Sequence, residues 1–136
     1  MFEMIHEFAV LGTACFMMAL ATVWYSPMLF GNIWMKEVGL TEDILEEKKS
    51  DMWKHMLLTF ISYCVMLGLL SLVVVYAPLL SLEPWLVAVG LTAFVAAVGV
   101  PAVLFEGRSF RYYTIQTGFN ILFIMFGVMI LQYWPW

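Results

Sequence analysis

Charged side chains are scarce in this chain, and the places where they are missing form a pattern. They make up 12% of the 136 residues, whereas apolar residues make up 64%. Four stretches contain no Asp, Glu, Lys or Arg at all: 8–25, 56–76, 85–105 and 114–134. A soluble globular protein spreads charge over its whole surface, so this pattern excludes that class and is typical of an integral membrane protein.

Each uncharged stretch is long enough to cross a lipid bilayer as an α-helix. The stretches hold 18 to 21 residues, and about 20 are needed to cross roughly 30 Å of hydrocarbon. Lipid offers no hydrogen-bond partners, and the stretches lack the polar alternation of a membrane barrel, so each must be helical. The sequence therefore predicts one all-α domain, residues 1–136, folded as a four-transmembrane-helix bundle, with a partly helical connection at 26–55.

Basic residues are absent from the N-terminus, the second connection and the C-terminus. All six lie in the first and third connections: Lys36, Lys48, Lys49, Lys54, Arg108 and Arg111. The positive-inside rule places these two connections in the cytoplasm, which predicts a multi-pass protein of the cell inner membrane with both termini on the non-cytoplasmic side. The lack of basic residues before the first span also argues against a cleaved signal peptide. The net charge of −4 makes nucleic acid an unexpected partner.

Histidine and cysteine are too few and too dispersed for metal or haem chemistry. The two histidines, His6 and His55, fall on opposite sides of the predicted membrane, and Cys15 and Cys64 lie within apolar spans. No metal and no cofactor is therefore expected. Ionisable residues are also missing from the middle of every span, which disfavours an ion pump.

Polar residues at membrane depth are confined to the second and fourth spans. Gln116 and Asn120 are four residues apart and share a helical face, as do Thr59 and Tyr63. Two interpretations stay open. The side chains could hydrogen-bond between helices and hold the bundle together, or they could be polar contacts in a ligand pocket.

The first connection contains two predicted pieces. A stretch lying at the membrane interface is indicated by five apolar or aromatic residues, Met28, Leu29, Phe30, Ile33 and Trp34, and Gly39 ends it. Thr41 can then cap a helix that begins with Glu42 and Asp43 and continues into the second span.

The third span carries small residues at four-residue spacing. Ala88, Thr92 and Ala96 form one stripe, and Ala93 and Ala97 form the next. Small side chains let helix backbones approach closely, which places this helix at the centre of the bundle or at an oligomer interface. In the same span Pro101 predicts a kink.

Charged residues collect at the predicted cytoplasmic rim. Glu106, Arg108 and Arg111 follow the third span, and Asp51, Lys54 and His55 precede the second. One interpretation is a structural clamp between the two connections. The other is a site for an anionic headgroup or small metabolite, with the Arg108 guanidinium as the group that recognises the anion.

Two segments resemble a known family. WYSPMLFGNIWMKEVGLTEDIL and FEGRSFRYYTIQTGFNILFIMFGVMIL resemble the bacterial membrane family termed domain of unknown function 1761, over nearly the whole chain. The resemblance implies a small four-helix membrane protein but no reaction, substrate or cofactor. It points to ten residues: Trp24, Tyr25, Ser26, Pro27, Phe30, Gly31, Trp34, Glu106, Arg108 and Asn120.

These observations favour a non-catalytic structural or ligand-binding protein, with membrane lipid or a small apolar molecule as partner and a homo-oligomeric state. The alternative is a membrane enzyme or carrier acting on a lipid-like or quinone-like molecule. Candidate binding residues are Tyr25, Ser26, Glu106, Arg108, Arg111, Gln116 and Asn120.

The WYSP element is predicted to end the first helix. Trp24 and Tyr25 anchor the helix end at the membrane interface, and Pro27 closes the helix. We also predict that WYSP meets the rim through a hydrogen bond from Tyr25 or Ser26 to Glu106 or Arg108.

Overall fold

A computed structural model describes residues 7–135; the predictions that involve His6 lie outside this range. Six α-helices follow one another along the chain: α1 Glu7–Trp24, α2 Gly31–Val38, α3 Glu42–Lys48, α4 Met52–Tyr76, α5 Pro84–Phe105 and α6 Phe110–Gln132. Short 3-10 turns, Lys49–Asp51 and Pro78–Leu80, precede and follow α4. Over residues 7–135 there is no strand, so the all-α prediction is confirmed.

Four helical segments are long and apolar enough to cross a membrane: Glu7–Trp24, Glu42–Leu80, Pro84–Phe105 and Phe110–Gln132. They contain the four uncharged stretches, apart from a few terminal residues. The protein is thus a multi-pass membrane protein with a four-helix membrane domain. Three of the six basic residues lie between α1 and α4, Lys54 lies in the first turn of α4, Arg108 lies in the α5–α6 connection and Arg111 lies in the first turn of α6. This end of the bundle is called the basic end below.

Helix α6 is the centre of the bundle. In its most apolar window 44% of the residues are buried, against 6% for α5. It packs against α1, α2, α4 and α5, whereas α5 packs chiefly on α6 and contacts α4 little. The prediction that the third span is central to the bundle is therefore wrong, because in an all-apolar helix small residues alone do not tell the protein-facing side from the lipid-facing side.

The small residues of α5 nevertheless serve close packing, on one side of the helix. Ala88 is fully buried, and the carbonyl of Ala96 accepts a hydrogen bond from the Tyr113 hydroxyl of α6 at 2.7 Å. Ala93 and Ala97 are exposed on the other stripe. The homo-oligomer that this stripe suggested stays a prediction. Helix α5 continues through Pro101 to Phe105.

The first connection folds largely as its sequence predicted. The α2 helix ends at Gly39, whose φ of 73° is a left-handed conformation that glycine adopts readily. The Thr41 hydroxyl then accepts a hydrogen bond from the backbone N–H of Ile44 at 3.4 Å and caps α3. From Glu42 the chain stays helical, with one 3-10 turn, into the second span.

A tight turn joins α1 to α2. The carbonyl of Ser26 accepts hydrogen bonds from the N–H groups of Leu29 at 3.1 Å and Gly31 at 2.9 Å. Gly31 is pressed against the preceding backbone, so that a β-carbon there would lie 2.3 Å from the Tyr25 carbonyl oxygen. Only glycine fits this position without a shift of the turn.

Replacing Gly31 by alanine should therefore destabilise the protein. We expect Gly31→Ala to lower the free energy of unfolding by about 1–3 kcal/mol, the usual range for overpacking. Gly90→Ala is the matched control, because a β-carbon at that helical position meets nothing within 4 Å. Thermal unfolding in detergent, followed by tryptophan fluorescence, measures both variants. Equal stability of the two would contradict the steric argument.

Candidate functional site

The turn after α1 is attached to α6 by two consecutive hydrogen bonds. The Trp24 indole N–H donates to the Ile115 carbonyl at 3.2 Å, and the Tyr25 hydroxyl donates to Oε1 of Gln116, also at 3.2 Å. Successive residues of the WYSP element thus bond to successive residues of α6. The two contacts fix both the height and the rotation of α1 against the central helix.

Aromatic rings surround these hydrogen bonds. The Tyr25 ring lies 5.2 Å from that of Trp34 in α2 and 5.5 Å from that of Phe119 in α6, measured between centroids. The Trp24 ring lies 4.6 Å from that of Phe30. Tilted and edge-on pairs at these distances are favourable. They hold α2 against the start of α6, so Phe30 and Trp34 have a packing role beyond anchoring in the interface.

A cavity of about 650 Å³ opens beside this junction, between α1, α2, α4 and α6. Aromatic and methionine side chains form most of its wall. Its lining residues are Met18, Ala21, Thr22, Tyr25, Trp34, Met52, His55, Met56, Thr59, Tyr63, Met66, Gln116, Phe119, Asn120 and Phe123. We call it the junction cavity. Both predicted polar pairs, Gln116 with Asn120 and Thr59 with Tyr63, lie in its wall.

Some polar groups in the wall of the junction cavity have hydrogen-bond partners within the protein, and others do not. Thr59 donates to the His55 carbonyl of its own helix at 2.7 Å, and Gln116 accepts from Tyr25. The Trp34 indole N–H is fully buried and has no acceptor among residues 7–135. The amide groups of Gln116 and Asn120 are therefore hydrogen-bond donors that this wall offers to an occupant with an acceptor.

The basic rim does not meet the WYSP element. Glu106 and Arg108 pair weakly with each other, with 3.9 Å between Oε2 and Nε, and Ser26 donates to the Val23 carbonyl at 2.7 Å. The predicted bond from Tyr25 or Ser26 to Glu106 or Arg108 is therefore wrong. Gln116 lies seven residues after Ser109, which is roughly 10 Å farther along α6. The hydrogen bond of Tyr25 therefore lies deeper in the bundle than the charged residues of the rim.

The rim charges do not form a clamp between the two connections either. Lys54 pairs with Asp51 on its own helix at 2.8 Å, and within the described part of the chain the Arg108–Glu106 contact is the other salt bridge. Instead, the Ser109 hydroxyl donates to a Glu37 carboxylate oxygen and joins α2 to the start of α6. This link was not predicted, since a serine at a helix start and a glutamate 72 residues away carry no shared pattern.

A smaller cavity of about 270 Å³ lies on the other side of α6, against α5. Its wall includes Arg108, Tyr112 and Tyr113 at the basic end and apolar residues of α5 farther in. We call it the α5–α6 groove. Gln116 and Asn120 line both cavities, so the two amides stand between them.

The other predicted residues lie away from both cavities. Ser26, Pro27 and Gly31 build the turn, Pro101 is exposed on α5, and Arg111 is exposed in the first turn of α6. Trp34 is not among the candidate binding residues named from the sequence, yet it lines the junction cavity. In the sequence, the available signal was the position of Trp34, four residues after Phe30 and three after Gly31. This position lies in α2, the helix that follows the tight turn.

Four membrane-spanning helices joined by part-buried aromatic and amide contacts define a small multi-pass membrane protein of the all-α class. The chain belongs to the family described as protein of unknown function (DUF1761), whose model matches residues 8–131. The resemblance seen in its two motifs is thus confirmed. No curated protein and no solved structure matches the chain.

The bond between Tyr25 and Gln116 can be tested by a double-mutant cycle. Tyr25→Phe and Gln116→Leu, alone and together, should show a coupling free energy of about 0.6 kcal/mol, and at most about 1.7, as measured for hydrogen bonds between membrane helices. Unfolding of the four proteins in mixed micelles gives this value. Tyr25→Phe combined with Glu106→Gln is the control pair, and coupling there but not with Gln116 would contradict the geometry.

Proposed function

We propose that this protein is a non-catalytic binding protein for a neutral, lipid-soluble molecule that carries hydrogen-bond acceptors, and that the junction cavity is its binding site. One observation carries the proposal: an uncharged cavity of about 650 Å³ has the Trp34 ring and the amides of Gln116 and Asn120 in its wall. Its volume lies within the roughly 300–1,000 Å³ usual for small-molecule sites.

The composition of the wall supports a neutral ligand. None of the 15 lining residues is Asp, Glu, Lys or Arg, and His55 is the lone histidine among them. An ionic headgroup would lose its hydration there without gaining an opposite charge. A ring with carbonyl or hydroxyl oxygens, such as a quinone, instead matches flat aromatic walls and amide donors.

The position of the cavity supports entry from the lipid. Met52, Met56 and Trp53 at the start of α4 are exposed, so this edge of the cavity faces the surroundings of the bundle. Methionine side chains adapt to ligands of irregular shape. A molecule dissolved in the bilayer can thus reach the cavity sideways.

The residues around the cavity supply binding groups but no reactive set. In the part of the chain from residue 7 to 135, no three His, Cys, Asp or Glu side chains come together as a metal site. Thr59, a hydroxyl in the wall, donates its hydrogen to the His55 carbonyl of its own helix. Binding without turnover is therefore the function that this geometry favours over an enzyme or carrier.

Asn120→Leu should weaken binding while leaving the fold intact. The probe is decylubiquinone, a neutral quinone that quenches tryptophan fluorescence, titrated into protein in detergent. We expect saturable quenching in the wild type and about tenfold weaker binding in the variant, for one lost hydrogen bond of about 1–1.5 kcal/mol.

Gln132→Leu is the control, because it removes an amide from the same helix outside the cavity. It should bind as the wild type does. If Asn120→Leu lowers the unfolding temperature but quenches with wild-type affinity, the amide serves packing and the proposal fails. Turnover of the quinone, measured as a change in its ultraviolet absorbance, would favour the enzyme instead.

We further propose that the basic end faces the cytoplasm of a bacterial inner membrane, and that both termini lie on the other side. The restriction of all six basic residues to that end supports this orientation. The exposed positions Glu46 and Glu83 lie at opposite ends of the bundle.

Single cysteines at Glu46 and Glu83, in a Cys15→Ala, Cys64→Ala background, test the orientation with a membrane-impermeant maleimide on spheroplasts. We expect labelling of Glu83→Cys and protection of Glu46→Cys until the cells are lysed. Both variants replace a glutamate by a cysteine, so each serves as the control for the other. The reverse pattern would overturn the orientation.

A further inference from the structure

We propose that the α5–α6 groove is a separate binding site for one anionic phospholipid, with the phosphate at Arg108 and an acyl chain along α5. Helix α6 lies between the groove and the junction cavity, so this site does not depend on the proposed quinone-type ligand. The two sites differ in charge: Arg108 lines the groove, whereas the junction cavity has no Asp, Glu, Lys or Arg in its wall.

The α5 side of the groove is an apolar stripe, against which the Tyr113 ring of α6 packs at Gly99. It consists of Phe94, Val95, Val98, Gly99, Ala102 and Val103. Steps of one, three and four residues keep a single helical face, and nine residues of rise extend it over roughly 14 Å. Phe94 and Val98 are exposed along the outer edge of this stripe, where a hydrocarbon chain can lie parallel to the helix beside the Tyr113 ring.

The position of Arg108 is set by the backbone and by an aromatic ring. Gly107, at φ 67°, reverses the chain after α5, and the Arg108 N–H donates to the Ala102 carbonyl at 3.2 Å. The guanidinium carbon lies 5.2 Å from the centre of the Tyr112 ring. Cation–π contact restrains the side chain at the mouth of the groove before any ligand binds.

The guanidinium keeps donors for an anion. Its contact with Glu106 involves Nε at 3.9 Å, and both side chains are about half or more exposed, at 47% and 66%. Such an exposed pair is weak. The terminal nitrogens can therefore form the forked hydrogen bonds that guanidinium makes to phosphate.

The order of polarity along the groove matches that of a phospholipid. The charged Arg108 lies with Tyr112 at the end of the helices, the Gln116 amide lies farther in along α6, and apolar α5 residues form the facing wall. In a phospholipid, the phosphate is followed by ester carbonyls and then by acyl chains. A soluble phosphate would leave the apolar stripe unused, which is why a lipid is the proposed occupant.

Native mass spectrometry of the full-length protein in detergent tests the site. The probes are phosphatidylglycerol and phosphatidylcholine with identical acyl chains. The wild type should prefer phosphatidylglycerol by roughly fivefold, the effect expected of one exposed charge contact. Arg108→Gln should remove that preference. Arg111→Gln, which deletes the same charge from an exposed residue outside the groove, should keep it.

Two further variants separate charge from groove shape. Glu106→Gln removes the competing carboxylate and should strengthen phosphatidylglycerol binding, about twofold or more. Ala102→Leu narrows the apolar stripe and should weaken binding of both lipids without changing the charge. These two readouts remain decisive if Arg108→Gln does not fold.

The proposal is overturned by equal effects of Arg108→Gln and Arg111→Gln, or by equal binding of the two lipids to the wild type. It is also overturned if excess glycerol 3-phosphate displaces phosphatidylglycerol completely, since that would indicate a site for the soluble anion alone. A loss of the lipid preference in Arg108→Gln with quinone quenching unchanged would show that the two sites are independent, because Arg108 lines the groove and not the junction cavity.

Discussion

The attachment of the WYSP turn to α6 is the constraint on which the rest of this fold depends. Hydrocarbon offers no competing hydrogen bonds, so the two bonds from Trp24 and Tyr25 to consecutive residues of α6 fix α1 in height and rotation. Gly31 then lets the chain fold back without a clash, and α2 brings Trp34 against Tyr25. The junction cavity exists because these aromatic side chains hold α2 beside the gap between α1, α4 and α6.

The central helix divides the protein into two chemically different sides. Toward α1 and α4 the wall is aromatic, rich in methionine and uncharged, whereas toward α5 it ends in an arginine at the basic end. Gln116 and Asn120 contribute to both walls from one helix. Because an amide nitrogen carries two N–H donors, each can donate to an acceptor-bearing ligand on one side or to a lipid carbonyl on the other. Two ligands of different charge would thereby share a membrane domain of only four spanning helices.

The four spans, the break at Gly39, the cap at Thr41 and the continuous helix into the second span were all predictable. Each depends on local chemistry: an uncharged run must be helical in lipid, glycine adopts a positive φ, and a hydroxyl at a helix start accepts a backbone N–H. The predicted contact between WYSP and the rim failed for a different reason. Two motifs can lie at the same end of a bundle and still differ in their depth in the membrane. Tyr25 bonds to Gln116, about two turns into α6, and not to the charged residues where α6 begins.

The sequence by itself determined the class of protein, the number of spans and the end of the bundle that carries the basic residues, because length, polarity and charge suffice for these. Only the tertiary structure decided that α6 is central, that α5 lies at the edge, and that Trp34 lines a cavity. Every face of a membrane helix is apolar, so hydrophobicity cannot distinguish a side that contacts protein from one that contacts lipid. That distinction comes from shape: which side chains leave room for a neighbouring helix, and which polar groups find a partner when it packs.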